Sequence, residues 1–170
     1  MIDVNEFRNG MSMLGGAVSV VTTTHEQIKY GMTVSAVCSV TDSPPSLLVC
    51  INQNAWSHNY FTSSGILCVN VLSSAHKTLS RHFADKRISM AERFNTHSWS
   101  ILNTGAPALD DALVNFDCKI SAINQCGSHS VFFAEIKAIR IGDSKTALMY
   151  FDRNYHDLPI LAKAMDELTA

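Results

Sequence analysis

Two long stretches decide most of what this chain can fold into. Residues 112–125 and 130–141 each alternate apolar with polar side chains: Phe116, Cys118, Ile120 and Ala122 in the first, then Phe132, Ala134, Ile136 and Ala138 in the second. A period of two belongs to a strand with one buried face. Only Cys126-Gly127-Ser128-His129 joins them. So short a link has no room for a crossover helix, so the two strands form an antiparallel hairpin. Further strand candidates lie at residues 17–24, 28–39, 47–51, 66–72, 99–101 and 147–151, mostly joined by short polar or glycine-containing links. Helical spacing is confined to residues 3–14, 54–63, 75–84, a short piece within 85–95, and 159–168. Hairpin connections without regular crossover helices specify a mainly β fold, an antiparallel barrel with peripheral helices, and not a doubly wound sheet.

The first helix is expected to be capped by Asp3 and amphipathic, with Val4, Phe7, Met11 and Leu14 on one face. Gly15-Gly16 stops it. That glycine pair follows a helix and precedes a strand, the reverse of a dinucleotide fingerprint, and no Gly-x-Gly-x-x-Gly occurs anywhere. Any nicotinamide cofactor is therefore held in another manner. Thr104-Gly105-Ala106-Pro107 reads as a turn and residues 152–156 as a polar loop.

A length of 170 residues suits one domain, read as residues 1–170, and a net charge of −2 offers no field for nucleic acid or an anionic membrane. No apolar run approaches the roughly 20 residues that span a bilayer. The N-terminus lacks a basic segment followed by an apolar one, so the cytoplasm is the expected location. The five cysteines, Cys38, Cys50, Cys68, Cys118 and Cys126, show no two-residue pairing and read as buried reduced thiols. The seven histidines show no ligand spacing with one another or with cysteine, so no metal is expected.

Residues 31–52 carry the most chemistry. A strand dense in small and hydroxylated residues (Thr33, Ser35, Ala36, Ser39, Thr41) leads through a turn at Pro44-Pro45 into an apolar strand, 47–51, expected to be buried on both faces. Such a strand lets a flat ligand lie close to the backbone. A buried hairpin whose hydroxyls serve only the backbone explains the composition equally well. After it, Asn52, Asn54, Ser57 and His58 surround a strand-to-helix junction. That junction is either an ordinary capped helix or a phosphate site.

Gly31-Met32-Thr33-Val34-Ser35-Ala36, Ser39-Val40 and Pro44-Pro45-Ser46-Leu47 resemble the flavin-contacting segment of the short-chain flavin reductases, the small components of two-component flavin monooxygenases. The resemblance continues in order through Cys68-Val69-Asn70-Val71-Leu72, Arg81-His82-Phe83-Ala84, Glu92-Arg93-Phe94, Gly127-Ser128-His129 and Tyr150-Phe151-Asp152-Arg153-Asn154-Tyr155-His156. It is strongest toward reductase components that serve 4-hydroxyphenylacetate 3-monooxygenases. It implies a flavin-reductase-like Greek-key split barrel, usually a homodimer with flavin near the subunit interface. The implied activity is hydride transfer from NADH or NADPH, with NADH the family expectation, to FMN or FAD. Reduced flavin then passes to a separate oxygenase.

Carried over residue by residue, the resemblance assigns Thr33, Val34, Ser35, Ala36, Val37, Ser39, Cys50, Ile51, Asn52, Ser57, Phe83 and Ala84 to the flavin. It places His129, Arg153, Tyr155 and His156 on the nicotinamide side, His129 being the candidate catalytic residue. Two departures stand out. Ser128 replaces an aspartate often found before the histidine, and Ser35 replaces an asparagine common in relatives. Hydride transfer needs positioned rings and little acid–base help. Two alternatives remain open: a split-barrel flavoprotein that reduces a corrinoid or serves a pyrimidine-degrading oxygenase, and a non-catalytic flavin-binding dimer.

Overall fold

The structure, a computed structural model, describes residues 2–161. Helix α1 (Val4–Ser12) begins as its sequence dictates, the Asp3 carboxylate accepting from the amides of Asn5 and Glu6. Its apolar stripe is left uncovered by the described residues: Val4, Phe7 and Met11 are exposed, as is Leu14 just beyond the helix end. Strands β1 (Gly16–Ala17), β2 (Ser19–His25), β3 (Ile28–Val34), β4 (Val37–Asp42) and β5 (Pro45–Asn52) follow. Then come α2 (His58–Ser64), β6 (Ile66–Val71), a 3-10 turn (Ser74–His76), α3 (Lys77–Ala84) and α4 (Met90–Asn95). The remainder is β: β7 (Trp99–Ile101), β8 (Pro107–Leu109), β9 (Val114–Cys126), β10 (His129–Ile141), β11 (Thr146–Phe151) and β12 (Asn154–Pro159).

Seven strands form one antiparallel sheet in the order β3-β2-β6-β9-β10-β5-β4. Its two edge strands, β3 and β4, are consecutive in the chain. The sheet therefore curls on itself and stays open between them, a Greek-key split barrel with peripheral helices. One apolar cluster fills the interior. Val21 and Val34 from one end of the sheet meet Leu47, Val49 and Ile51 from the other, with Phe61 of α2 closing one end. A second cluster, built on Val20, Leu72, Leu79, Phe83, Phe94 and Leu148, joins the barrel to α3, α4 and the three-stranded sheet β1-β11-β12. Burying each such side chain is worth about 1.5–3 kcal/mol.

Gly31 makes the junction of α3 with the barrel possible. A Cβ there would stand 2.8 Å from Phe83 Cε1 and 3.1 Å from the Val21 carbonyl. Only glycine lets the Phe83 ring lie this close to β3.

A buried polar network ties β2, β6, β8 and β9 together. The Asn70 amide donates to the Val20 carbonyl at 2.9 Å and to Thr22 Oγ1 at 3.1 Å, while its oxygen accepts from the Leu109 amide and from Asn115 Nδ2, both at 2.8 Å. Arg140 completes it, donating to Asn115 Oδ1, the Leu109 carbonyl and Ser100 Oγ, each at 2.8 Å. Asp117, fully buried, accepts from the amides of Asn103 and Thr104 and from the Thr104 hydroxyl, fixing the turn before β8.

Several expectations from sequence need correction. The single strand over residues 28–39 is two strands broken at Ser35-Ala36, because β3 pairs with β2 while β4 pairs with β5 at the opposite edge. Strand β5 is not buried on both faces. Leu47, Val49 and Ile51 face the core, and Leu48 and Cys50 are only half-buried on the outside. Residues 152–156 are not a loop. Asp152 and Arg153 form a turn with φ of 46° and 59°, and β12 starts at Asn154. The helix over residues 54–63 starts only at His58, after a turn. The terminal helix expected over residues 159–168 falls mainly outside the described residues, and Pro159 is the end of β12. Among the thiols, Cys68 and Cys118 are buried, but Cys50 is half-buried and Cys38 and Cys126 are exposed, since they lie on the outward face of the sheet. Burial pushes the Cys118 thiol up to about 12.

Candidate active site

Two cavities open beside the split. The larger, about 630 Å3, lies between β3, the turn before α2, the C-terminal end of α3 and the start of α4. Met32, Thr33, Trp56, Ser57, Phe83, Ala84, Lys86, Met90 and Arg93 are among its walls. The smaller, about 220 Å3, is lined by Val18, Thr33, Val34, Ser35, Ala84, Tyr150 and Tyr155. Thr33 and Ala84 belong to both, so one thin wall separates them. No carboxylate lines either cavity.

A chain of hydrogen bonds sets that wall. Thr33 Oγ1 donates to the Ser80 carbonyl at 2.6 Å, and Ser80 Oγ lies 2.8 Å from the Tyr155 hydroxyl. Strand β3, helix α3 and strand β12 are thereby held together at one point. Phe83 backs the wall from below. Its ring meets Phe94 edge-on at 5.1 Å and Trp99 at 5.7 Å.

Arg93 anchors the floor of the larger cavity. It is 7% exposed and donates only to main-chain carbonyls: Ile88 at 3.0 Å, Asp85 at 2.7 Å, Phe83 at 3.1 Å and Gly31 at 3.4 Å. Burial draws the guanidinium below its ordinary value, yet an arginine stays charged in a protein. Among the described residues no carboxylate forms an ion pair with it, although the nearby Asp85 charge favours the guanidinium. The neighbouring Asp85 is occupied by Arg87, whose hydrogen bonds hold that carboxyl well below the usual range. Lys86 makes no ion pair among the described residues. Arg93 and Lys86 thus leave the cavity with net positive charge.

The residues singled out from sequence divide clearly. Thr33, Val34, Ser35, Ser57, Phe83 and Ala84 meet around the two cavities. The Thr33 hydroxyl proton is already committed to Ser80, whereas Ser35 and Ser39 are exposed along the split, as is Ala36. Val37 packs against the barrel core. Ile51 is fully buried inside it, so only its main chain can reach a ligand. Cys50 and Asn52 face outward on β5, and Asn52 Oδ1 accepts from the Asn54 amide at 2.8 Å.

The nicotinamide-side group does not converge within one chain. His129 opens β10, exposed, opposite Asn52 and Cys126, and lines neither cavity. Its Nδ1 lies 2.9 Å from Ser128 Oγ, so the serine supplies an orienting contact for the imidazole. Arg153 donates to Asn9 Oδ1 of α1 at 2.5 Å, and His156 Nε2 lies 3.1 Å from the Phe151 carbonyl. Tyr155 alone of that segment reaches a cavity, because strand alternation turns it inward. Sequence reasoning missed Trp56, Lys86, Tyr150 and the role of Arg93. Glu92-Arg93-Phe94 was visible as a motif, but the carbonyls that Arg93 serves come from distant segments.

His76, His97 and Asp111 bring ligand-type atoms within 4.8 Å of one another. The Ser73 amide donates to His76 Nδ1 at 3.1 Å, while the buried Nε2 lies 3.2 Å from Asp111 Oδ2 and makes no hydrogen bond among the described residues. The three side chains stand near enough to offer one ligand atom each to a metal ion, a grouping that histidine spacing in the sequence does not reveal.

A curled antiparallel sheet with two adjoining clefts at its split, neither lined by a carboxylate, defines a protein of the split-barrel class. The family model for the flavin reductase like domain matches residues 11–159, and the chain belongs to that family. It is similar to the FMN reductase (NADH) RutF of Pantoea ananatis, at 46% identity over 157 residues, 92% of this chain and 82% of the relative. Among solved structures, a candidate flavin reductase of Haemophilus somnus shares 45% identity with a TM-score of 0.90, covering 92% of this chain and all of that one. BorF, the flavin reductase component of a bacterial two-component tryptophan halogenase, shares 27% with a TM-score of 0.86 over 92% and 99% of the two chains. Among the described residues no helix is long and apolar enough to cross a membrane.

Proposed function

We propose that this chain, read as one flavin reductase-like domain over residues 1–170, is an NADH-dependent flavin reductase. It would transfer a hydride to FMN or FAD and supply the reduced flavin to a separate monooxygenase. The observation that carries the reading is the wall formed by Thr33 and Ala84, with one cavity on each side and the exposed Ser35–Ser39 edge beside it. Two flat ligands brought to one edge can be held in contact, and positioning is most of what this reaction requires.

The residues fit such ligands. Flavin and nicotinamide together supply the hydride chemistry, from nicotinamide C4 to flavin N5. Small side chains at Ser35 and Ala36 let a ring approach the main chain. Arg93 and Lys86 favour a phosphate-bearing tail in the larger cavity, where the buried Ser57 also lines the wall. The absence of carboxylates there avoids repelling that tail and the anionic reduced ring. His129, oriented by Ser128, is read as the nicotinamide contact, with Tyr155 closing the smaller cavity.

A homodimer belongs to this reading. The exposed stripe Val4, Phe7, Met11 and Leu14, on α1 and just beyond its end, is apolar surface that a second copy would cover. His129 and Arg153 lie apart from the cavities in one chain, which suits a site completed across such an interface. The oxygenase served is either a 4-hydroxyphenylacetate 3-monooxygenase or the pyrimidine-degrading alternative. The curated relative reported above is named FMN reductase (NADH) RutF and not after the first, so an acceptor panel includes both.

The test follows NADH absorbance with trace protein and excess FMN, FAD or riboflavin. Saturable turnover with added flavin is expected. No turnover with any of the three, from protein that binds flavin, would replace the reductase with a flavin carrier. Light scattering reads the oligomer: a mass of twice the chain is expected, and a monomer at working concentration removes the dimer.

A further inference from the structure

Trp56 is 66% exposed, yet its ring is held in place. Tyr30 stacks on Tyr60 with centroids 3.7 Å apart and planes 11° from parallel, and Trp56 meets this pair at 5.6 and 5.7 Å. Both contacts are inclined, at 54° and 65°, so neither tyrosine covers the indole in parallel. The ring sits at the rim of the larger cavity, which Lys86 also lines. Asp85, the nearest carboxylate in sequence to Lys86, is neutralised by Arg87, and Arg93 lies buried in the same wall. A fixed, uncovered aromatic face beside net positive charge matches a purine base carrying phosphates.

We propose that Trp56 and Lys86 form a subsite for an adenosine diphosphate group, with adenine on the indole face and the diphosphate at Lys86. The inference rests on the flavin reductase reading and adds a specificity determinant to it. Two substrates of that reading carry this group, FAD and NADH. Their truncated forms, FMN and reduced nicotinamide mononucleotide, lack it.

The experiment compares wild type, Trp56→Ala, Trp56→Phe and Lys86→Gln. Kd is measured for FAD and FMN by flavin fluorescence, and KM for NADH and reduced nicotinamide mononucleotide. If FAD supplies the group, Trp56→Ala raises Kd for FAD about tenfold and leaves FMN within about twofold. Trp56→Phe restores most of the loss, and Lys86→Gln, which also meets the phosphate that FMN retains, weakens both flavins, FAD the more. If NADH supplies it, KM for NADH rises by the same factor, while the truncated nucleotide and both flavins are unmoved. Equal shifts for full and truncated forms, or no shift, overturn the proposal. So does a Trp56→Ala variant that changes only the oligomeric mass, which would assign the indole to a contact between copies. Absent turnover in wild type with a discriminating Kd pattern would refute the reductase reading and leave this subsite standing. Turnover without discrimination would do the reverse.

Discussion

The Asn70 network and the Ser35–Ser39 edge are both built from polar side chains of one barrel, and they do opposite things. Around Asn70 each side-chain donor and acceptor is answered inside the chain, through Val20, Thr22, Leu109, Asn115 and Arg140. Along the split, Ser35 and Ser39 are exposed, and the main chain breaks from one sheet edge to the other. The difference teaches where to look for function in a β barrel. A polar residue whose pairing closes within the fold contributes to folding. One left open at an interrupted strand is available to a ligand.

That contrast can be broken by experiment. Asn70→Leu should cost roughly 3–5 kcal/mol in urea unfolding, because the Leu109 amide and the Asn115 side chain lose buried partners. A loss below about 1 kcal/mol would mean the network is not closed as described. Gly31→Ala should cost about 1–3 kcal/mol by overpacking against Phe83 and the Val21 carbonyl. It should also weaken flavin binding, since Phe83 backs the cavity wall; intact affinity with reduced stability would separate the two roles. Ser35→Leu tests the open side. Flavin affinity should fall about tenfold, or ~1.4 kcal/mol, with an unchanged unfolding midpoint, and an unaltered Kd would remove Ser35 from the ring contact. His129→Ala should raise KM for NADH roughly fivefold, or ~1 kcal/mol, with flavin Kd and stability unmoved. Equal loss of both affinities would count against a nicotinamide contact.

The effect that vanishes near neutral pH is a pH dependence at the alkaline end. Cys118 titrates at about 12 in the fold because burial disfavours its thiolate, against about 8.5 in an unfolded chain. Above that unfolded value the unfolded state binds fewer protons than the native one, so stability falls with rising pH. Its contribution is complete below about pH 8.5 and lost as pH rises toward 12. A Cys118→Val variant should show a flatter alkaline decline in Tm. In native protein a thiol reagent should label Cys38 and Cys126 and spare Cys68 and Cys118.

Much of the fold was legible in the sequence because it rests on local period and turn chemistry. Asp3 caps α1, and the β9–β10 hairpin follows from alternation and one glycine turn. The break at Ser35-Ala36 was not legible. Nothing local distinguishes a strand of seven residues that changes sheet edges from one that continues, and only partner strands decide it. Likewise Tyr155 reads as loop until β11 is there to pair with it. The site was half legible for the same reason. Thr33, Ser35, Phe83 and Ala84 lie in motifs that stay together, while Trp56, Lys86 and Arg93 act through neighbours far away in the chain. His129 stood out by type, but its place outside both cavities depends on how β10 begins, which spacing does not encode.

Arg93 holds the connection between α3 and α4 through main-chain oxygens alone, those of Phe83, Asp85 and Ile88. No side chain of residues 85–88 hydrogen-bonds to Arg93. Substitutions there leave the anchor intact so long as the backbone keeps its path. The rim of the larger cavity is therefore open to drift: its charge and shape can diverge between lineages, or be rewritten by design, without disturbing the scaffold that bears it.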